Sequence, residues 1–247
     1  MTKGKKKIVL TVVFLFGFFF FYRYSPRRVE FLGHFNKVFA HRVNSLEKQK
    51  QALNYFEGIE VDLVYLKNKN VLDVNHPPSA SINLTFETYL AQIDSNHFPF
   101  LWLDIKGLDA TNSDSILLKL NTLFESRKYP KNKVLIETLS PEALPKFIEA
   151  GYKASYYFKS NLYKLPKEDL ITEINAIQII LDQQPEIGIS SNYENYELMK
   201  TYFPNKTKYL WAVTSFYNFK YFKVRDALED NNVAVVLTKF RSLYGNR

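Results

Sequence analysis

Phe39-Ala40-His41-Arg42-Val43-Asn44-Ser45 and, a short way downstream, Gly58-Ile59-Glu60-Val61-Asp62-Leu63 carry the decisive pattern of the chain. A histidine and an arginine close one apolar run, and two carboxylates two residues apart sit inside the next. In a strand, residues i and i+2 project from the same face, so Glu60 and Asp62 point into one space. Like charges a few ångströms apart in an apolar setting repel and lose their hydration unless a cation stands between them. The pair therefore predicts a metal site with a histidine beside it.

From residue 36 onward, short β-rich runs alternate with helical patterns. Strands are expected at about 36–41, 58–65, 99–105, 133–138, 153–158, 176–182, 208–214 and 233–237, with helices at about 45–56, 84–95, 112–127, 140–150, 166–174, 191–202 and 216–231. Ser45, Asn112 with Ser113, and Ser140-Pro141-Glu142 supply helix-start signals. Eight strands interleaved with helices require a parallel sheet, and the count fits closure into a (β/α)8 TIM barrel. No glycine-rich phosphate loop follows any strand, so a nucleotide-binding open sheet lacks its usual mark.

Barrel geometry gathers functional groups at the C-terminal ends of the strands. His41 ends the first strand, and Glu60 and Asp62 lie in the second. After a turn at Asn68-Lys69-Asn70, Val71 to Val74 reads as a short extra strand that returns His76 to the same rim. The third main strand finishes Asp104-Ile105-Lys106, an acid and a base on one face. Glu60, Asp62 and Asp104 make an oxygen-rich set suited to Mg2+ or Ca2+. His41 and His76 would flank a substrate as base or nucleophile on one side and acid on the other, and Arg42 and Lys106 would bind an anionic group such as phosphate. Metal-assisted cleavage of a phosphodiester is the chemistry this set predicts. Glu137, ending the fourth main strand, is read either as a pocket residue or as an ion-pair partner. Trp211 is read as core first and substrate wall second. His34 and His97 belong to no constellation, and the sequons at Asn83 and Asn205 are too short to carry weight.

The outer parts of the chain set the remaining bounds. With 247 residues and 46% hydrophobic composition, one barrel-sized domain has enough apolar material for a full core. The absence of cysteine excludes disulfides, thiolate metal sites and cysteine nucleophiles. The net charge of +8 is concentrated at the N-terminus, because residues 1–28 hold seven bases and no acid. The nearly neutral remainder argues against nucleic acid as a partner. Lys3 to Lys7 precede the apolar run Ile8 to Tyr22, which is followed by Arg23, Arg27 and Arg28. This reads as an uncleaved signal anchor over residues 1–28, a membrane helix that places a barrel of residues 29–247 on the extracytoplasmic side, or releases it by secretion if cleaved.

The order His41-Arg42, Glu60-x-Asp62, His76 and Asp104-x-Lys106 resembles the phospholipase-C-like phosphodiesterase superfamily, whose best-known members are the glycerophosphodiester phosphodiesterases. The resemblance runs over nearly the whole chain beyond the N-terminal segment, with Val134 to Leu144 and Leu210 to Thr214 falling at that family's fourth and seventh strands. It implies a (β/α)8 barrel, a divalent cation held by the acids, general acid and base roles for the two histidines, and a glycerophosphodiester or phospholipid-type substrate. Val43 and Pro77 stand where glycerophosphodiesterases have glycine and aspartate, and Asp104 stands where they have glutamate. Only 27 residues separate His76 from Asp104, where they carry a sizeable insertion. Ala40 to Ser45 and Asn75 to Pro78 look closer to the menorin family, which implies a non-catalytic lipid- or protein-binding module as one alternative. The Ala-His-x-Val-Asn pattern and Asp104-x-Lys106 also resemble sphingomyelinase D and related phospholipases D, which implies a lyase giving a cyclic phosphate as another.

Overall fold

The computed structural model describes residues 3–211 and 221–241. Nine strands form one sheet: β1 Val38–His41, β2 Gly58–Leu66, β3 Val71–Val74, β4 Phe100–Lys106, β5 Val134–Thr138, β6 Lys153–Tyr157, β7 Gly188–Asn192, β8 Lys208–Trp211 and β9 Val233–Lys239. The helices are α1 Lys3–Arg23, α2 Leu46–Ala52, α3 Phe86–Ala91, α4 Ser113–Ser126, α5 Pro145–Glu149, α6 Lys167–Gln183, α7 Tyr196–Tyr202 and α8 Tyr221–Glu229. β1 pairs in parallel with β9 on one side and with β2 on the other, which closes the ring. Eight strands are thus parallel, and β3 alone runs antiparallel, folded back along β2. This is the (β/α)8 barrel expected from the sequence.

Strand alternation divides the core in two. On β2 and β4, Ile59, Val61, Leu63, Leu101, Leu103 and Ile105 face outward into the large apolar layer under the helices. The opposite parity fills the barrel with a second cluster of Phe39, Trp102, Leu135, Tyr209, Val235 and Leu237. Trp102 packs edge-on against Tyr209 with centroids 5.6 Å apart. Glycine is required at two positions in this layer. A Cβ on Gly58 would lie 2.5 Å from the Phe39 ring, and one on Gly188 would lie 2.7 Å from the Tyr209 ring and 3.0 Å from the Thr207 carbonyl. Above the aromatic layer the inward positions become polar, and the same parity that buries Trp102 turns Asp104 and Lys106 into the barrel mouth.

One expected strand is wrong. Residues 176–182 lie inside α6, which also runs well past the helix end expected at 174, and the strand that follows is Gly188–Asn192. Ile174, Ile177 and Leu181 are buried at helical spacing while Ile179 points outward, so the isoleucine-rich run is a helix face mistaken for a strand. The true strand escaped notice because its inward positions are Gly188 and Ser190, which carry no hydrophobic signal. Residues 212–214 of the expected seventh main strand and 216–220 of the helix after it lie outside the described residues. Ser45 caps α2 as expected, accepting from the Lys48 amide at 3.2 Å. Pro141 instead opens a short 3-10 turn, and Pro145 opens α5.

The membrane-anchor expectation is overturned: among the described residues, no helix is long and apolar enough to cross a membrane. The apolar stretch of α1 rises only about 22 Å at 1.5 Å per residue, against a hydrocarbon core of about 30 Å. Lysines stand immediately before it and Arg23 immediately after. The segment that follows α1 is tied to the barrel by polar contacts. The Tyr22 hydroxyl donates to Glu30 at 2.8 Å, Glu30 lies 3.3 Å from the Arg28 guanidinium, and Arg28 donates to Thr238 of β9 at 3.1 Å. Arg28 is 1% exposed, so this seam is internal.

The glycine requirement gives a stability test. Gly188→Ala should destabilise the barrel by about 1–3 kcal/mol, lowering the thermal midpoint by about 2–4 °C per kcal/mol. Calorimetry that finds no loss would show that Tyr209 is free to move aside.

Candidate functional site

β1 delivers His41 to the barrel mouth and the chain then turns sharply, with Arg42 in the left-handed region at φ 54°. That turn brings the Arg42 amide to 2.5 Å from Glu60 Oε2, and the His41 Nε2 atom lies 3.7 Å from the same oxygen. Register supplies the other acids. Asp62 of β2 sits opposite Asp104 of β4, and Asp104 opposite Glu137 of β5, so three neighbouring strands place carboxylates at one height. β3 folds back so that Val74 pairs with Leu63 and the Asn75 amide bonds the Asp62 carbonyl at 3.1 Å. The next residue is therefore at the mouth, and His76 Nε2 lies 3.8 Å from Asp62 Oδ1.

Glu60 and Asp62 are 2% and 1% exposed. One oxygen from each of Glu60, Asp62 and Asp104 can be chosen so that all lie within 4.8 Å of one another. Lys106 stands over two of them, with Nζ 3.0 Å from Asp62 Oδ1 and bonded to Asp104 Oδ2. Asp62 also accepts from the Asn44 amide group, at 2.7 Å. Glu137 takes a hydrogen bond at 2.9 Å from the indole of buried Trp102.

Burial dominates the electrostatics. It raises the Glu60 carboxyl well above the usual carboxylate range, and the charges of Asp62 and Asp104 add to the shift. Asp104 is raised by burial, with Lys106 pulling it back. Glu137 is pushed up to about 8, first by burial and then by Asp104. Burial draws Lys106 down, but its two carboxylate neighbours outweigh that and hold it above the ordinary lysine value. His41 is held well below the usual histidine value by burial and then by Arg42 and Lys48. The same burial and cations that disfavour its protonated form act at its contact with Glu60. Two buried carboxylates and a partly exposed third are a hard-oxygen donor set, and a divalent cation among them would relieve both desolvation and repulsion.

The pocket they border has a volume of about 110 Å3. All nine residues singled out in the sequence line it: His41, Arg42, Glu60, Asp62, His76, Asp104, Lys106, Glu137 and Trp211. Trp211 stands in the wall with its ring edge-on to Tyr157, 5.7 Å between centroids. Tyr157 and Leu237 complete the lining and were missed. Both share an inward parity, Tyr157 with Ser155, which pairs with inward-facing Glu137, and Leu237 with Val235 of the aromatic layer, so counting by two along each strand would have found them. His97 borders a separate cavity of about 660 Å3 at the opposite, N-terminal end of the strands.

No family model matches the chain. Over 227 residues it is 23% identical to Mediator of RNA polymerase II transcription subunit 23 of Drosophila melanogaster, an alignment covering 86% of this chain but only 16% of that much longer protein. Among solved structures, it matches a glycerophosphodiester phosphodiesterase of Thermotoga maritima at TM-score 0.56 and 13% identity, covering 82% of this chain and 93% of that one. It also matches a phosphodiesterase of Oleispira antarctica, solved in complex with the product sn-glycerol-3-phosphate, at TM-score 0.59 and 12% identity, over 82% and 92% of the two chains. At these identities the likeness is one of fold. The fold shared with these two phosphodiesterases is the barrel that the ordered motifs of the sequence led one to expect.

Proposed function

We propose that the chain is a phosphodiesterase whose Glu60, Asp62 and Asp104 hold Mg2+ or Ca2+ and whose substrate is a glycerophosphodiester or a phospholipid-derived diester. The observation that carries this reading is the convergence of three carboxylates, Glu60 and Asp62 buried and Asp104 partly exposed, at the barrel mouth, with His41 approaching Glu60 and His76 approaching Asp62. A bound divalent cation would offset charge developing on the phosphoryl oxygens. Arg42 and Lys106 pair with the phosphate, since both line the pocket and carry charge opposite to it. His41 and His76 share the proton transfers to and from the attacking and leaving oxygens. A space of about 110 Å3 takes a phosphoryl group and a short polar group, so longer substituents extend past Tyr157 and Trp211 into solvent.

The charge crowding can be tested without substrate. In chelator at neutral pH, Glu60→Gln should raise stability by about 1 kcal/mol, because it removes an acid whose ionisation is opposed by burial and by Asp62 and Asp104, while its amide oxygen still accepts from the Arg42 amide. Mg2+ or Ca2+ should raise the thermal midpoint of the wild type and leave Glu60→Gln unmoved. No shift of the wild type with either ion would sink the metal reading.

The mechanism is tested on a panel of glycerophosphodiesters and choline phospholipids. His41→Ala and His76→Ala should each lower kcat by about 100-fold or more, and activity that survives both substitutions rules the histidine mechanism out. An open monoester among the products supports hydrolysis, a cyclic phosphate supports the lyase, and no turnover of any diester by a metal-loaded chain supports a binding module.

A further inference from the structure

We propose that the loop from His41 to Ser45 orients the two carboxylates of β2, with Asn44 and Lys48 as its positioning residues. The proposal rests on reading Glu60, Asp62 and Asp104 as a metal centre. The Lys48 side chain reaches back from the first turn of α2 and donates to the His41 carbonyl at 3.0 Å and to the Arg42 carbonyl at 2.6 Å. A trans peptide points its C=O and N–H in opposite directions. Holding the His41 carbonyl toward α2 therefore aims the N–H of the same peptide, that of Arg42, at Glu60 Oε2 on the other side. Arg42 adopts φ 54° to do this, a conformation that a residue bearing a Cβ keeps only where its surroundings hold it.

The surroundings hold that turn from several sides. The Lys48 amide is fixed on Ser45, the Val43 amide bonds the Glu60 carbonyl at 2.8 Å, and the buried Tyr89 hydroxyl donates to the Val43 carbonyl at 2.8 Å. Asn44 serves Asp62 as Arg42 serves Glu60, and does so twice. Its Nδ2 donates to Asp62 Oδ2 at 2.7 Å, and its Oδ1 accepts from the Asp62 amide at 3.0 Å. Main chain and carboxylate of Asp62 are thus pinned by one side chain, which turns Oδ1 toward Lys106 and His76. One oxygen of each β2 carboxylate is engaged by the loop, and the rotation of each carboxylate is fixed before any ligand arrives.

Partners of this kind usually govern metal affinity by 10–100-fold. The test is isothermal titration of the full chain with Mg2+ and with Ca2+, comparing wild type, Asn44→Ala, Lys48→Met and Tyr152→Phe, with circular dichroism confirming the fold of each. Tyr152 borders the cavity at the opposite end of the strands and its hydroxyl donates to Asn121, so its loss lowers stability without touching the loop or the carboxylates. Asn44→Ala and Lys48→Met should each weaken Kd by about 10-fold or more, while Tyr152→Phe leaves it unchanged. Wild-type affinity in both loop variants overturns the positioning role and leaves the metal centre standing. Weakening by Tyr152→Phe as well also overturns it, because stability rather than orientation would then set affinity. If the wild type binds neither ion, the metal reading itself fails and the proposal falls with it. Should Lys48→Met not fold, Asn44→Ala decides alone.

Discussion

Three carboxylates with oxygens within 4.8 Å of one another, on β2 and β4, two of them buried and Asp104 partly exposed, repel each other strongly. The barrel mouth is built around that repulsion. Lys106 offsets two of the charges from the same strand end as Asp104, the Arg42 amide and the Asn44 side chain each satisfy one oxygen, and Trp102 satisfies Oε2 of the neighbouring Glu137. Even so, burial keeps Glu60, Asp104 and Glu137 above their ordinary proton affinities. A site that remains electrostatically unsatisfied after all these contacts is poised for a further positive charge, and that is the condition a cation site requires.

Two features make the repulsion tolerable to the fold. Parallel strand register fixes Asp62 opposite Asp104 through a ladder that runs from Gly58 with Phe100 to Val64 with Lys106, so the acids cannot drift apart without breaking β2 from β4. Beneath them the aromatic layer seals the barrel, and it does so only because Gly58 and Gly188 leave room for the rings of Phe39 and Tyr209. The stability forgone at the mouth is offset by apolar burial lower in the same barrel and under the helices.

Much of this was legible in the chain because acids inside apolar runs are conspicuous. Glu60, Asp62 and Asp104 stood out by parity, and His41 and His76 stood out because each ends a run that leads to the same rim. What could not be read follows from inward positions that carry no apolar signal. β7 faces the barrel with Gly188 and Ser190, so a strand went unseen while the isoleucines of α6 imitated one. The partnership of Asn44 and Lys48 with the site depends on a left-handed turn at an arginine, and no local composition announces that. At the N-terminus, composition spoke for a membrane helix, but the length of apolar residues between the flanking charges fell short of one.

Trp102 shows how the two halves of the barrel interior depend on each other. Its ring packs on Tyr209 in the aromatic layer, while its indole N–H donates upward to Glu137 beside the acids. Two residues further along β4, Asp104 completes the acid set, so one strand passes from sealing the barrel to holding charge. The dry layer lowers the effective dielectric beneath the site, which strengthens the repulsion among the carboxylates and would equally strengthen their hold on a cation. Packing and charge are therefore one design in this strand. A larger or looser aromatic layer would admit water below the acids and weaken both terms together.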